Sequence, residues 1–265
     1  MGDIMKKEII VTLIALVLGT LIVPNTDTKF SSTTYDEYLC VTNRYHHSTD
    51  SFTQGLFFHN EKMYETTGLY GQSSIYKNAD IKSGESEKSY SFDKSIFAEG
   101  SVVFNNELYV LTYKENKVLV FDPDTLQLKR EIPYNRQGWG LTTDGKYLIA
   151  SDGSSEIFFM DKQLNTIKQI TITREGAPVK NINELEYIEG KIWANEWLTN
   201  NILIINPENG NVIKQLDFTE ICNNHNTGTN DVLNGIAYNE NTKKNTILFD
   251  IFFNTWQNEN RTVNQ

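Results

Sequence analysis

The sequence predicts an all-β protein, a five-bladed β-propeller, because one short pattern recurs five times along the chain. Each repeat has a small element containing Gly or another small residue, then a turn, a β-rich phrase such as residues 108–112, and a further strand. The phrases follow one another at intervals of between about 38 and 54 residues, as propeller blades do. No amphipathic helix of ten or more residues is evident after residue 30. A β-sandwich or a pair of small β domains is the alternative architecture.

The composition favours a globular protein and excludes several classes of function. A net charge of -10 argues against nucleic-acid binding, which needs a basic surface to neutralise phosphates. The 14 Phe, 13 Tyr and 4 Trp side chains can bury enough apolar area to offset the chain entropy lost on folding. The four histidines and two cysteines lack the spacing of a common zinc motif. Cys40 and Cys222 could pair in an exported protein. Glu184 and Glu186 could be groups at the rim of a channel, but their interpretation as surface charges is favoured.

The first 29 residues have the pattern of a signal peptide or an N-terminal membrane anchor. Lys6 and Lys7 precede an apolar run at residues 9–23, which Pro24 ends. The run is short for a membrane-spanning helix, which needs about 20 residues, but an uncleaved leader would attach the protein to a membrane through it. The sequence therefore predicts an extracytoplasmic domain, periplasmic or secreted, over residues 30–265.

The small element that opens each repeat is predicted to line the central channel, because the first strand of a blade faces the propeller axis. Equivalent positions in successive blades then face one another across the channel. Strands seldom favour Asn, Gln or Glu, so their recurrence at these positions indicates a polar binding site. The alternative is that these side chains merely bond one another and channel water. The five positions hold Gln54, Glu99, Trp139, Asn183 and Asn234.

Glu99 is the candidate catalytic group of this set. Phe97 and a narrow channel would exclude water from its carboxyl and raise its pKa, which suits it to general acid–base catalysis near neutral pH. Trp139 and Trp197 offer flat walls for a small substrate, and the Asn183 amide can bind a carbonyl oxygen or an amine. Since no Gly-rich cradle is present for a phosphate, the set suits a small, neutral, amide-bearing ligand.

Eight short phrases stand in a fixed order over about residues 45–240. They lie at residues 52–56 (Phe-Thr-Gln-Gly-Leu), 64–74, 97–100 (Phe-Ala-Glu-Gly), 138–145, 151–154, 183–186, 193–197 and 232–238 (Val-Leu-Asn-Gly-Ile-Ala-Tyr). Together they resemble the plant- and bacterial-type glutaminyl cyclotransferases. The resemblance implies a five-bladed propeller, and it implies that the α-amine of an N-terminal glutamine attacks its own side-chain carboxamide, so that ammonia leaves and pyroglutamate remains.

The resemblance also implies a role for each matched residue. Glu99 would be the acid–base group that moves the proton, and Asn183 would hold the γ-amide or the oxyanion. Tyr113 stands where the family tends to carry Trp, so an aromatic wall is retained. The expected substrate-binding residues are Phe52, Gln54, Phe97, Tyr113, Trp139, Trp197 and Asn234. No metal or other cofactor is implied, the expected partners are peptides or proteins with an N-terminal glutamine, and we expect a monomer.

The carboxyl-terminal end departs from the family pattern from about residue 244. The resemblance implies a Thr-Gly-Lys-x-Trp phrase here, whose Lys would reach the channel and assist catalysis. Asn254 or Asp250 stands in its place, depending on the alignment register. A frameshift near the end of the gene is one explanation. Genuine divergence to a weak or inactive enzyme is the other, since loss of a general acid typically costs about 10²- to 10⁴-fold in rate.

Two other functions remain open on the same residues. The chain could be a non-catalytic propeller that binds peptide N-termini in this pocket. It could also be a metal-dependent, lactonase-like propeller in which Glu99, Asn183 and Asn234 ligate a hard cation such as Ca²⁺. A single acidic residue in the channel set argues against the second, because a hard cation prefers more negative charge.

Overall fold

The structure, a computed structural model, describes residues 8–13, 41–47, 51–78, 86–223, 232–242 and 244–250, with the backbone alone at residues 8–13, 41–46, 78, 223 and 244–250. Within these ranges the chain forms strands and one short helix, α1 (Thr219–Asn223). The strands are β1 (Glu8–Leu13), β2 (Val41–His47), β3 (Thr53–His59), β4 (Lys62–Thr67), β5 (Ser74–Asn78), β6 (Ser86–Ser91), β7 (Ala98–Phe104), β8 (Glu107–Thr112), β9 (Lys117–Phe121), β10 (Leu128–Pro133), β11 (Leu141–Thr143), β12 (Leu148–Ser151), β13 (Glu156–Met160), β14 (Thr166–Thr171), β15 (Thr173–Arg174), β16 (Ala177–Pro178), β17 (Ile182–Ile188), β18 (Lys191–Glu196), β19 (Asn201–Ile205), β20 (Val212–Asp217), β21 (Val232–Asn239) and β22 (Lys244–Asp250).

The described strands form five four-stranded antiparallel sheets, which we number as blades in order around the ring, and a two-stranded sheet, β15–β16, between blades 3 and 4 in the chain. Blades 1 to 4 take consecutive strands, β3–β6, β7–β10, β11–β14 and β17–β20, and blade 5 has the order β21–β22–β1–β2. The first strands pack in a closed cycle, β3 against β7, β7 against β11, β11 against β17, β17 against β21, and β21 against β3. This arrangement confirms the five-bladed β-propeller that the repeats predict.

Apolar side chains fill the spaces between neighbouring blades. Tyr64 of blade 1 packs in one buried cluster with Leu108 of blade 2, and similar clusters join blades 2 and 3, 3 and 4, and 4 and 5. Leu56 and Ala237 belong to the cluster that joins blade 5 back to blade 1. Each fully buried side chain of Leu size contributes about 1.5–3 kcal/mol relative to its exposed state, so the blades are held together face to face.

Blade 5 is built from two distant parts of the chain. The backbone of β1 lies between β22 and β2, with Val11 opposite Ile247 and Ile10 opposite Tyr45. β22 pairs with β21 as far as Asp250, which lies opposite Val232. The segment that begins at about residue 244 therefore forms a strand of the ring, whatever its departure from the family pattern.

Several sequence predictions fall partly or wholly outside the described residues. Glu8–Leu13 lies within the predicted leader and forms β1, whereas the rest of residues 1–29 is outside the described ranges. Cys40 and Asn254 are also outside them, and Cys222 is buried in the cluster between blades 4 and 5. No helix in the described ranges is long and apolar enough to cross a bilayer.

Two buried carboxyl groups connect blade 4 to other blades. Glu184 accepts a hydrogen bond from the Ile236 N–H at 2.9 Å and a longer one from the Leu56 N–H at 3.4 Å. Glu186 accepts one from the Tyr238 N–H at 3.0 Å. Both side chains are buried, so the interpretation of this pair as surface charges is wrong. The carboxyls find backbone N–H groups on other blades, and those partners are far away in sequence.

A buried ion pair connects blade 5 to blade 1. His47 Nε2, at the end of β2, lies 2.9 Å from Glu65 Oε1, and the Thr53 hydroxyl donates to the same oxygen at 2.6 Å. Burial alone would raise the pKa of Glu65, but the His47 charge and these hydrogen bonds hold that pKa below its ordinary value. By contrast, burial and the neighbouring Glu186 raise the pKa of Glu184 well above its ordinary value.

Glu186 should make the stability of the fold depend on pH. Burial raises its pKa from 4.5 to about 8, so between these two values the folded protein keeps a proton that the unfolded chain has lost. The free energy of unfolding that this proton contributes is complete below pH 4.5 and is lost as the pH rises through about 8. In Glu186→Gln the amide can still accept from the Tyr238 N–H and donate to Thr142 Oγ1, which lies 3.1 Å from Glu186 Oε2, but it cannot titrate.

The free energy of unfolding, measured by urea denaturation across this pH range, should therefore decline less steeply with pH in Glu186→Gln than in the wild type. The difference in slope should reach up to about 1.4 kcal/mol per pH unit. Glu208→Gln removes an exposed carboxylate from the same blade and should keep the wild-type slope. Parallel curves for Glu186→Gln and the wild type would contradict the assignment.

Candidate active site

Four of the predicted channel residues lie where the ladder between the first and second strands of a blade breaks. In blade 2, Glu99 and Gly100 together face the single residue Leu111, because pairing stops at Ala98 and resumes at Ser101. Bulges of this kind re-aim side chains and are common beside active sites. All the bulged polar side chains are buried, with at most 6% of their surface exposed. The breaks contain Gln54, Glu99, Asn183 and Asn234.

Bonds within and between neighbouring blades satisfy the backbone N–H groups near these breaks. The Gly100 N–H of blade 2 donates to Trp139 O at 2.7 Å, just before blade 3 begins. In blade 3 the Gly140 N–H donates to Ser151 Oγ at 2.7 Å, and that hydroxyl donates to Asn183 O of blade 4 at 2.7 Å. The bulged residues are therefore fixed by their main chains as well as by their side chains.

Three amide side chains form a hydrogen-bonded chain across blades 4, 5 and 1. Asn183 Nδ2 donates to Asn234 Oδ1 at 3.1 Å, and Asn234 Nδ2 donates to Thr53 O at 2.8 Å and to Gln54 Oε1 at 3.4 Å. These side chains do bond one another, as the alternative interpretation of the channel set expects. Asn183 still keeps one amide hydrogen and its Oδ1 without a partner among the described residues.

Glu99 differs from the amides because its carboxyl has no hydrogen-bond partner among the described residues. Only 6% of its surface is exposed. Burial, and then the negative charge of Glu115, raise the pKa of Glu99 well above its ordinary value. A carboxyl in this condition can hold a proton near neutral pH and exchange it with a bound ligand.

Phe97 is the centre of an aromatic wall beside this carboxyl. Its ring centroid lies 6.2 Å from that of Phe52, 5.4 Å from Tyr70 and 5.5 Å from Tyr113, in edge-on or tilted contacts. Phe97 is buried, Phe52 and Tyr113 are half-buried, and Tyr70 is exposed. The structure thus gathers three predicted pocket residues and adds Tyr70, which stands in one of the motif phrases but was not singled out.

Trp139 and Trp197 form a second wall. Their ring centroids are 5.4 Å apart with the planes at 86°, and both side chains are half-buried. Trp139 precedes the first strand of blade 3, so it lies outside the ladder breaks and pairs with Trp197 instead. Gly153 supports the Trp139 ring from behind, since a Cβ at Gly153 would lie 2.5 Å from Trp139 Cζ2.

Glu115 is a further acidic side chain that sequence reasoning missed. It lies in the turn between β8 and β9, two residues after Tyr113, and accepts a hydrogen bond from the Tyr70 hydroxyl at 2.8 Å. The sequence feature that could have identified Glu115 is its position two residues after Tyr113, a predicted pocket residue. Within the described ranges, no three His, Cys, Asp or Glu side chains gather in a group that could hold a metal ion.

The comparisons with known proteins agree on one family. A family model described as glutamine cyclotransferase matches residues 12–249. The glutaminyl-peptide cyclotransferase of Arabidopsis thaliana is 34% identical over 205 residues, which are 75% of this chain, and the match spans 63% of the length of that relative. The crystal structure of Myxococcus xanthus glutaminyl cyclase has a TM-score of 0.69 and 28% identity, covering 79% of this chain and 95% of that one.

Replacing Gly153 by Ala should displace the Trp139 ring. The new methyl group would overlap the ring, and the residue's φ of +78° adds strain of about 1–2 kcal/mol for an L-residue. We expect a changed near-ultraviolet circular dichroism spectrum and changed tryptophan fluorescence, because the perpendicular pair of rings is disturbed.

Gly145→Ala is the matched control for this substitution. Gly145 has a similar φ of +82°, but nothing lies within 4 Å of the position that a Cβ would take there, so Ala carries the strain without touching a ring. Both variants should lose thermal stability from backbone strain, Gly153→Ala should lose more because its methyl group overlaps the Trp139 ring, and Gly153→Ala alone should change the spectra. Identical spectra for the two variants would show that Gly153 does not support the wall.

Proposed function

Because this chain belongs to the glutamine cyclotransferase family, we propose that it converts the N-terminal glutamine of peptides to pyroglutamate with release of ammonia. One observation carries the proposal. Glu99 is a buried carboxyl without a hydrogen-bond partner among the described residues, and it stands beside an aromatic wall. Burying a carboxyl without a partner costs free energy, so a contribution to the fold does not explain its place there. Its raised pKa suits it to proton transfer.

Glu99 acts as the acid–base group in this proposal. The α-amine nitrogen attacks the side-chain Cδ, and the proton that the nitrogen loses moves to the Glu99 carboxylate. Glu99 then gives a proton to the amide nitrogen, the Cδ–N bond breaks, and ammonia leaves the new lactam. A raised pKa brings Glu99 closer to that of a peptide α-amine, about 7.7–8.0, so proton transfer between the two groups costs little.

Asn183 is proposed to bind the reacting carboxamide. Its remaining amide hydrogen can donate to the developing oxyanion, and its Oδ1 can accept from the departing NH₂ group. The bond to Asn234, which in turn bonds Thr53 and Gln54, prevents the Asn183 amide from rotating freely. Gln54 and Asn234 therefore enter the proposal as residues that position Asn183 at the channel floor.

The two aromatic walls are proposed to select and fold the substrate. Cyclisation needs the α-amine close to Cδ, and a narrow apolar slot favours such a compact conformer while excluding water. Phe52, Phe97 and Tyr113 would form one side of the slot, and Trp139 and Trp197 the other. Their uncharged surfaces suit a neutral carboxamide better than a carboxylate, so N-terminal glutamine should be preferred to glutamate.

The Lys that the resemblance implies near the carboxyl-terminal end is missing, and we expect its absence to slow the reaction. Neither Asp250 nor Asn254 can supply the ammonium group that the resemblance implies. We expect turnover about 10²- to 10⁴-fold slower than in family members that have this general acid.

We also propose an extracytoplasmic location and a monomeric protein with residues 1–29 as its leader. The two lysines followed by an apolar run support this address. Cleavage after the leader would remove β1 from blade 5, whereas an uncleaved segment keeps it. The mass of the protein recovered from cells distinguishes the two cases.

Glu99→Gln should abolish most of the turnover while leaving the fold intact. The full chain is incubated with a peptide that begins with glutamine, and ammonia release and the loss of its mass from the peptide are followed. We expect kcat to fall by about 10²- to 10⁴-fold, with little change in KM, because Gln keeps the shape of Glu but cannot exchange the proton.

Two controls make the experiment specific. Glu131→Gln removes an exposed carboxylate from the same blade as Glu99 and should keep wild-type activity. The same peptide with an acetylated α-amine has no nucleophile and should release no ammonia. Peptide binding without ammonia release in the folded wild type would contradict the proposed reaction and would favour a non-catalytic propeller that binds peptide N-termini.

A further inference from the structure

The pair of Tyr70 and Glu115 is an unexplained feature at the edge of the site. Tyr70 comes from the turn after β4 in blade 1, and Glu115 from the turn after β8 in blade 2. The Tyr70 hydroxyl donates to Glu115 Oε1 at 2.8 Å. The other carboxylate oxygen, Oε2, is buried and has no hydrogen-bond partner in the described part of the chain. An anionic oxygen removed from water without a partner is costly, and native proteins seldom keep one without a purpose.

Nearby positive charge does not account for this oxygen. Lys114 is adjacent in sequence, but its Nζ lies over the Tyr113 ring, 4.4 Å from the ring centroid. Among the described side chains, no Lys, Arg or His forms an ion pair with Glu115. Tyr70 and Glu99 interact with Glu115, and neither adds positive charge.

The position of the pair ties it to the reaction centre. The Tyr70 ring contacts Phe97 at 5.4 Å, and Phe97 is two residues from Glu99. The charge of Glu115 also contributes, after burial, to the raised pKa of Glu99. Two carboxyl groups therefore lie close to one aromatic wall, and no described Lys, Arg or His forms an ion pair with either.

We propose that Glu115 binds the α-ammonium group of the incoming peptide through Oε2, with Tyr70 positioning the carboxylate. The inference rests on the proposed function, because it identifies the cation as the amine that becomes the nucleophile. A peptide amine is largely protonated below its pKa of about 7.7–8.0, so it brings the positive charge that the site lacks. Once bound, the ammonium passes one proton to the Glu99 carboxylate and becomes the free amine that attacks Cδ. Glu99 gives that proton to the amide nitrogen, then takes the second proton that the attacking nitrogen loses. It returns this second proton to the departing ammonia, which leaves as ammonium.

The same contact separates substrate from product. After cyclisation the former amine nitrogen is part of a neutral lactam, which has a single N–H and no positive charge. The charge-assisted bond to Glu115 is lost at that moment, and such bonds are roughly twice as strong as neutral ones. Glu115 therefore strengthens the binding of the open substrate and favours release of the pyroglutamyl peptide.

The test measures binding apart from turnover. The probe is a peptide with N-terminal norvaline, whose side chain has no carboxamide and cannot cyclise, and its partner is the same peptide with an acetylated α-amine. Calorimetry on the full chain, about one pH unit below the amine pKa, gives the ratio of the two dissociation constants. We expect Glu115→Gln to reduce this preference for the free amine by about 10- to 100-fold.

Further variants and a product assay exclude a merely structural role. Tyr70→Phe keeps the ring but releases Glu115, and it should reduce the preference by a smaller factor. Glu131→Gln, an exposed carboxylate in blade 2, should leave the ratio unchanged. Binding of the pyroglutamyl peptide should change less than twofold in Glu115→Gln, whereas general damage to the pocket would weaken both ligands.

An unchanged ratio in a folded Glu115→Gln protein would overturn the inference even if the wild type turns over glutamine peptides. If Glu115→Gln does not fold, an unchanged ratio in Tyr70→Phe decides against it. A reduced ratio without any ammonia release from the wild type would support the ammonium site while rejecting the proposed reaction.

Discussion

The structure depends on one constraint: a buried backbone N–H that leaves its ladder must find another acceptor. At the centre of the ring, the ladders of four blades break, and the N–H groups nearby are satisfied by atoms outside the regular pairing. Glu184 is the clearest example. Its carboxyl, on blade 4, accepts hydrogen bonds from backbone N–H groups of blade 5 and blade 1. These bonds fix the blades relative to one another at the place where the site is built.

The breaks also decide which groups can do chemistry. Four of the buried carboxyls, those of Glu65, Glu99, Glu184 and Glu186, all lose water, yet they have different partners. Glu65 has the His47 ring and stays ionised, and Glu184 and Glu186 have backbone N–H groups and support the fold. Glu99 alone among them has no partner among the described residues, and its proton can therefore respond to a ligand. Buried carboxyls that have hydrogen-bond partners stabilise the fold. A buried carboxyl without such partners is available for proton transfer.

The architecture and much of the channel could be predicted from sequence because both are repeated. Gln54, Glu99, Asn183 and Asn234 stand at one equivalent position in four of the five repeats and have side chains that strands rarely favour. The ladder breaks could not be predicted, since a bulge depends on pairing between strands and leaves no fixed signature in one strand. Glu184 and Glu186 were misjudged for a related reason: their hydrogen-bond donors are on other blades. Tyr70 and Glu115 meet across two turns 45 residues apart, a contact that only the packing of blades creates.

The composition of blade 5 imposes an order in time. Blades 1 to 4 use strands that are consecutive in the chain, so each can assemble from local contacts. β21 and β22 are synthesised last, yet they must meet β1 and β2, which were synthesised first. Until that long-range closure, the apolar faces of blades 1 and 4 have no fifth blade to cover them. The interval before the ring closes is therefore when aggregation competes with folding.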